Sequence, residues 1–159
     1  MSVFARKPVP KLEKLEPSAD GRFNVGLAAS FPPGRGKRVL LGEREVAVFV
    51  VAEDVHALDA HCYHAGGPLD NGDIEDLGER RCVTCPWHHY VIDVRTGEGV
   101  HHPGAAAAAG CATKGVKQRV HKAEMDADGT VWVELELEGE RNSDYYSSDL
   151  YLKLMGKKR

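Results

Sequence analysis

The chain has no long apolar run. The longest, Val46 to Ala52, is seven residues, far short of the ~18 that a membrane-spanning helix needs. It has no large excess of either charge: 21 Lys and Arg face 24 Asp and Glu, a net charge of -3, which gives no bulk attraction to nucleic acid. Its four cysteines are too few for a dense disulfide framework. That leaves a reducing compartment as the expectation and turns attention to metal. No apolar stretch follows the N-terminal basic residues, so no secretory leader is expected. Glu13 and Glu16 interrupt the early basic stretch, unlike a mitochondrial presequence. No G-x-G-x-x-G follows a strand pattern, so no nicotinamide or flavin fingerprint is present. Internal repeats are also missing, and there is almost no helical periodicity. The expectation is a soluble intracellular protein, cytoplasmic by default with an organelle left open, and a monomer.

At 159 residues the chain fits one domain of the usual ~100–200 residues, with tails. Residues 1–20 hold three prolines and mixed charge and read as a flexible lead-in, with Leu12 and Leu15 able to pack locally. From residue 21 to 138, short apolar runs alternate with turn residues. Residues 37–41 (KRVLL) and 45–52 (EVAVFVVA) flank Gly42-Glu43-Arg44 as a hairpin. The second run is Val-rich without a helical stripe, which favours a strand. Residues 55–60, 81–84 and 90–94 are further strand candidates, and residues 118–125 and 130–137 form the clearest hairpin around the turn at 126–129. In its second strand Val131, Val133, Leu135 and Leu137 share one face, and Trp132, Glu134, Glu136 and Glu138 the other. The fold class is all-β. The alanine-rich stretch before Cys111 reads as a loop insertion. Residues 139–159 change character again and read as a tail, with Tyr151, Leu152, Leu154 and Met155 as docking candidates.

Two segments carry the chemistry. HCYHAGGPL places Cys62 and His64 in a Cys-x-His pattern, and CPWHHY places Cys85 and His88 in a Cys-x-x-His pattern. Each tight loop offers one thiolate and one imidazole, together enough for a tetrahedral metal site or a [2Fe–2S] cluster. A Cys2His2 zinc site is thus open on residue types alone. Gly66-Gly67-Pro68 supplies a backbone able to come close to an inorganic centre, and Pro86 bends the chain directly after Cys85. Backbone N–H groups in such loops can point at sulfur and stabilise negative charge.

The pattern Cys-x-His-x-Gly-Gly-Pro-Leu followed by Cys-Pro-Trp-His resembles the cluster loops of Rieske-type [2Fe–2S] proteins, most nearly the small stand-alone Rieske domain-containing proteins and Rieske ferredoxins. A weaker resemblance through GDIED, TGEGV and KGVKQRVH extends over most of residues 22–138. It implies an antiparallel β base domain with an inserted cluster-binding subdomain, here about residues 61–100. It also implies one [2Fe–2S] cluster per chain, with Cys62 and Cys85 on one iron and His64 and His88 on the other. High-potential members add a disulfide whose positions fall here at Gly67 and Trp87, and a sulfide-bonding Ser whose position falls at Tyr90. The residue after the second ligand His, often Gly in Rieske ferredoxins, is His89. Fewer hydrogen bonds to sulfur lower the potential, toward ~−150 mV.

The resemblance implies a one-electron carrier rather than an enzyme, passing electrons from a reductase to a terminal oxygenase or hydroxylase through a small, transient contact. A redox or iron–sulfur sensor is the alternative. With so little length after residue 100, the catalytic domain of an oxygenase subunit is not expected. Cys82-x-x-Cys85 lacks the βαβ setting of a thioredoxin motif, so Cys82 is expected to be a buried strand residue. His56 and His121 are expected to be structural, and His101-His102 solvated. Trp87 is expected to shield the site. The acidic stretch Asp70, Asp73, Glu75, Asp76 and Glu79 reads as a solvated loop, with a docking patch for a basic partner as the sharper reading.

Overall fold

The computed structural model describes residues 11–101 and 112–156; the alanine run, His102 and Cys111 lie outside them. Five strands come first: β1 (Lys14–Leu15), β2 (Phe23–Leu27), β3 (Lys37–Leu41), β4 (Arg44–Val51) and β5 (Asp54–Asp59). Five more follow: β6 (Asp73–Leu77), β7 (Arg80–Thr84), β8 (Val91–Asp93), β9 (Glu98–Val100) and β10 (Thr113–Val116). The last are β11 (Val120–Met125) and β12 (Thr130–Glu134), then a 3-10 segment over Asn142–Ser147 and a short helix α1 (Asp149–Leu154). A seven-stranded sheet runs β1-β3-β4-β5-β11-β12-β2, and a five-stranded sheet runs β10-β9-β8-β7-β6. The smaller sheet is therefore an insertion between β5 and β11 of the larger.

The β3–β4 hairpin forms around Gly42-Glu43, with Leu41 opposite Arg44. Gly42 sits at φ 61, the left-handed region that a tight hairpin turn requires. β4 explains why its sequence lacks polar alternation. Val46 and Val48 enter one core with Phe23, Leu41, Ala57 and Val133. Ala47 and Phe49 enter a second core with Leu58, Leu69, Val83 and Ile92. β4 is thus a wall shared by two cores, and both of its faces are apolar. Fully burying one such Val, Leu or Phe contributes ~1.5–3 kcal/mol. Cys62 and Cys85 belong to the second core, so the base of the candidate metal site is also the hydrophobic centre of the inserted unit.

Several expectations shift. β1, inside the expected lead-in, pairs in parallel with β3, and Leu15 packs on the first core. Residues 73–77, expected as loop, form an edge strand against β7. β12 ends at Glu134, so Leu137 is exposed instead of continuing the buried face. Of the tail candidates, Leu152 is buried and Tyr151 is half-buried, edge to face with His61 at 6.0 Å, whereas Leu154 and Met155 are exposed. Within the tail Ser143 is fully buried.

Candidate metal centre

Two loops of like construction face each other. In the first, the Cys62 N–H donates to the Gly67 carbonyl at 2.9 Å. In the second, the Cys85 N–H donates to the Tyr90 carbonyl at 2.8 Å. Each loop is closed by a bond from its cysteine to the residue five positions on. Inside the first loop the Gly66 N–H returns to the Cys62 carbonyl at 2.8 Å, with Gly66 at φ 79. In the second, His88 and His89 hold φ 63 and 59. Two successive non-glycine residues in the left-handed region are strained, by ~1–3 kcal/mol each. A glycine in place of His89 would relax one of them.

The loops bring the four candidate residues together as two unlike pairs. The sulfurs of Cys62 and Cys85 are buried and within hydrogen-bond reach of each other. N–H groups of His64 and Ala65 donate to the Cys62 sulfur, and the Trp87 N–H to the Cys85 sulfur. The shared thiol hydrogen bond and burial push Cys62 up, while the same bond pulls Cys85 down to about 7. The pair therefore ionises in two coupled steps. The imidazoles are exposed. His64 and His88 meet edge to face at 5.1 Å between centroids, with planes at 90°. Among the described residues no three His, Cys, Asp or Glu side chains converge on one point fit for a single ion. The four candidate residues fall instead into a thiol pair and an imidazole pair.

Gly67 keeps the space beside the sulfurs open. A Cβ there would stand 2.5 Å from the Cys85 sulfur and 3.0 Å from Trp87 Cβ. Trp87, expected as a shield, is 51% exposed; its Cβ and Cγ back onto Gly67. Cys82 is buried in a separate cluster with Val91 and Val100, away from the sulfur pair.

Sequence reasoning missed the groups that brace the first loop. Gln118 is fully buried. Its amide donates to the carbonyls of Asp59 (3.0 Å) and His61 (2.8 Å), and its oxygen accepts from the Tyr63 N–H at 2.9 Å. Asp59 accepts two bonds from Arg44 at 2.7 Å, one from Ser143 at 2.7 Å and one from His121 at 2.9 Å. The other ring nitrogen of His121 accepts from the Glu136 N–H, so the neutral tautomer satisfies both sides. Arg119 grips Asp144 and the carbonyls of Glu136, Glu138 and Gly139. Tyr146 lies where a Gly66 side chain would be, 2.7 Å from its ideal Cβ, and stacks on His61 at 5.7 Å. These contacts join residues 59–66 to the C-terminal segment, across separations that no local pattern reveals.

The acidic stretch divides. Asp70 is bonded to Arg38 and Asp76 to Arg81, while Asp73, Glu75 and Glu79 are exposed. His56 is buried beside Arg81.

The family model described as soluble Rieske-type ferredoxin matches residues 35–138. A human Rieske domain-containing protein is 41% identical over 111 residues, which is 67% of this chain and 70% of that protein. The ferredoxin subunit of anthranilate 1,2-dioxygenase from Burkholderia cepacia is 38% identical over 56 residues, covering 35% of this chain and 48% of the subunit. Among solved structures, the ferredoxin of carbazole 1,9a-dioxygenase from Nocardioides aromaticivorans aligns with a TM-score of 0.57 at 23% identity, over 72% of this chain and 98% of that chain. At that identity the likeness is one of fold.

Proposed function

This chain belongs to the soluble Rieske-type ferredoxins, with the all-β Rieske fold and the [2Fe–2S] cofactor of that family, and on that premise we propose that it is a one-electron carrier between a reductase and a terminal oxygenase or hydroxylase. The relatives include a dioxygenase's ferredoxin subunit, and the reading makes this chain an electron-transfer component rather than an enzyme. The observation that supports the reading is the polarity of the site: a thiol pair inside the second core and an imidazole pair at the surface.

Cys62 and Cys85 would hold one iron, and His64 and His88 the other. When bound, the cluster supplies a centre that takes up and gives back a single electron. The chain's own residues do the rest. The N–H groups of His64, Ala65 and Trp87 aim positive dipoles at the two sulfurs, which offsets negative charge added near them. Phe49, Leu58 and Leu69 pack with the cysteines and keep water from the sulfur side. The exposed imidazoles leave a short route to a partner surface. No helix among the described residues is long and apolar enough to cross a membrane. The partner is read as a protein, met transiently by a monomer in a reducing intracellular compartment.

The test begins with colour. The purified protein should be red-brown, with two irons and two acid-labile sulfides per chain. Cys62→Ser should abolish both. Reconstitution with a ferredoxin reductase and a Rieske oxygenase should then support turnover. A colourless zinc protein would overturn the cluster assignment. A fully loaded protein that no reductase reduces would overturn the carrier role.

A further inference from the structure

His64, Tyr90 and Lys114 come from three separate segments and form a layered column. The His64 and Tyr90 rings are stacked at 3.8 Å between centroids, with their planes 11° apart. The Lys114 ammonium lies over the Tyr90 ring, 4.3 Å from its centroid. An imidazole at 3.8 Å fills one ring face, so a second group at 4.3 Å must lie on the other. The order is therefore imidazole, phenol, ammonium. Tyr63 meets Tyr90 edge to face at 5.9 Å and closes the side of the column. Gly99 gives it room, since a Cβ there would stand 2.6 Å from the Tyr63 hydroxyl and 3.4 Å from Lys114 Cβ. Lys114 is half-buried, and no carboxylate among the described residues forms an ion pair with it.

We propose that Lys114, acting through the Tyr90 ring, is a positioning and tuning residue for the cluster at its His64 side. The column does two things. Tyr90 fixes the plane of the His64 imidazole, and the cation holds Tyr90 from behind through its ring face. The fixed positive charge also favours the reduced state. One-electron reduction makes the site more negative by one unit, and a cation behind the stack stabilises that added charge, screened in part by solvent. The proposal rests on the reading of His64 as an iron ligand.

The test is a redox titration of the loaded protein, followed by visible circular dichroism, with iron and sulfide measured in every variant. Lys114→Met should lower the reduced-to-oxidised ratio at fixed potential by roughly three- to tenfold, where tenfold is about 59 mV for one electron. Lys114→Arg should restore the wild-type value. Tyr90→Phe should keep the stack and the potential, whereas Tyr90→Leu should lower the potential and change the cluster spectrum. The Lys114→Met shift should shrink in high salt. Full iron with an unchanged potential in Lys114→Met would overturn the proposal, and so would an equal drop in Lys114→Arg. Failure of the ligand reading would be a separate result: His64→Ala retaining both irons and the wild-type spectrum.

Discussion

Gly67→Ala tests whether the space beside the sulfurs is part of the site. The backbone at Gly67 is not among those at positive φ, so alanine meets no conformational obstacle there. The obstacle is the neighbour: the new Cβ would stand 2.5 Å from the Cys85 sulfur and 3.0 Å from two Trp87 carbons. Ordinary contacts between carbon atoms lie at ~3.5–4.0 Å, so the sulfur must retreat by roughly 1 Å. It is 1% exposed and packed in the second core, so retreat means overpacking, at about 1–3 kcal/mol. For a domain of this size that lowers Tm by ~2–4 °C per kcal/mol. Gly78→Ala is the control, since Gly78 sits at φ 64 with nothing within 4 Å of an added Cβ. It should cost about 1 kcal/mol through backbone strain alone. Thermal unfolding and iron stoichiometry read together separate the two. Both variants should fold, Gly67→Ala losing most of its iron and Gly78→Ala keeping two per chain. A Gly67→Ala protein with full iron and wild-type Tm would refute the reasoning.

Three further outcomes follow from the same geometry. His89→Gly should raise stability by about 1 kcal/mol in denaturant unfolding, because it relaxes a left-handed residue at φ 59, and it should leave iron content unchanged. Burial alone would push the Asp59 and Asp144 carboxyls up, but bonds from Arg44 and His121 to Asp59, and from Arg119, the Arg141 N–H and Arg44 to Asp144, outweigh it and hold both below the usual range. Their stabilisation is complete above the unfolded Asp value of ~3.9 and is lost as pH falls through the lower folded values; urea midpoints should therefore drop below about pH 4, more shallowly in Asp144→Asn than in wild type. With Tyr90 in place of a sulfide-bonding Ser and no loop disulfide, the potential should lie near ~−150 mV, and a clearly positive value in direct voltammetry would count against that reading.

What the sequence made legible is what it encodes locally. Cys62 with His64 and Cys85 with His88 lie within a few residues of each other, and the structure brings the two segments into contact. The β3–β4 and β11–β12 hairpins carry their own turn residues. What escaped was non-local. β6 reads as an acidic loop because an edge strand exposes most of its side chains, and charge there guards against further pairing. Its partner Arg81 stands beyond a turn, and the Arg38 that holds Asp70 lies 32 residues away. Gln118 looks like an ordinary strand-flanking polar residue, and nothing near it shows that three backbone groups of residues 59–63 depend on it. Two of the hydrophobic tail candidates do dock, Leu152 by burial and Tyr151 edge to face on His61, while the polar and aromatic contacts of Ser143, Asp144 and Tyr146 carry no signal in the local pattern.

The division of β4 between two cores ties the site to the base domain through one strand. Val46 and Val48 stabilise the larger sheet, while Ala47 and Phe49 face the unit that carries the loops. A single strand thus couples the stability of both, yet the side chains that touch the sulfur pair are distinct from those that hold the base together. The Asp59 network adds a second brace, from the polar side, since Arg44 at the start of β4 bonds both Asp59 and the tail residue Asp144. The first loop is therefore fixed by apolar packing beneath its cysteine and by buried charge at its root. The imidazole stays at the surface. Rigidity at the root and exposure at the tip are what a carrier needs, because a fixed donor geometry limits reorganisation while a bare edge lets a partner come close.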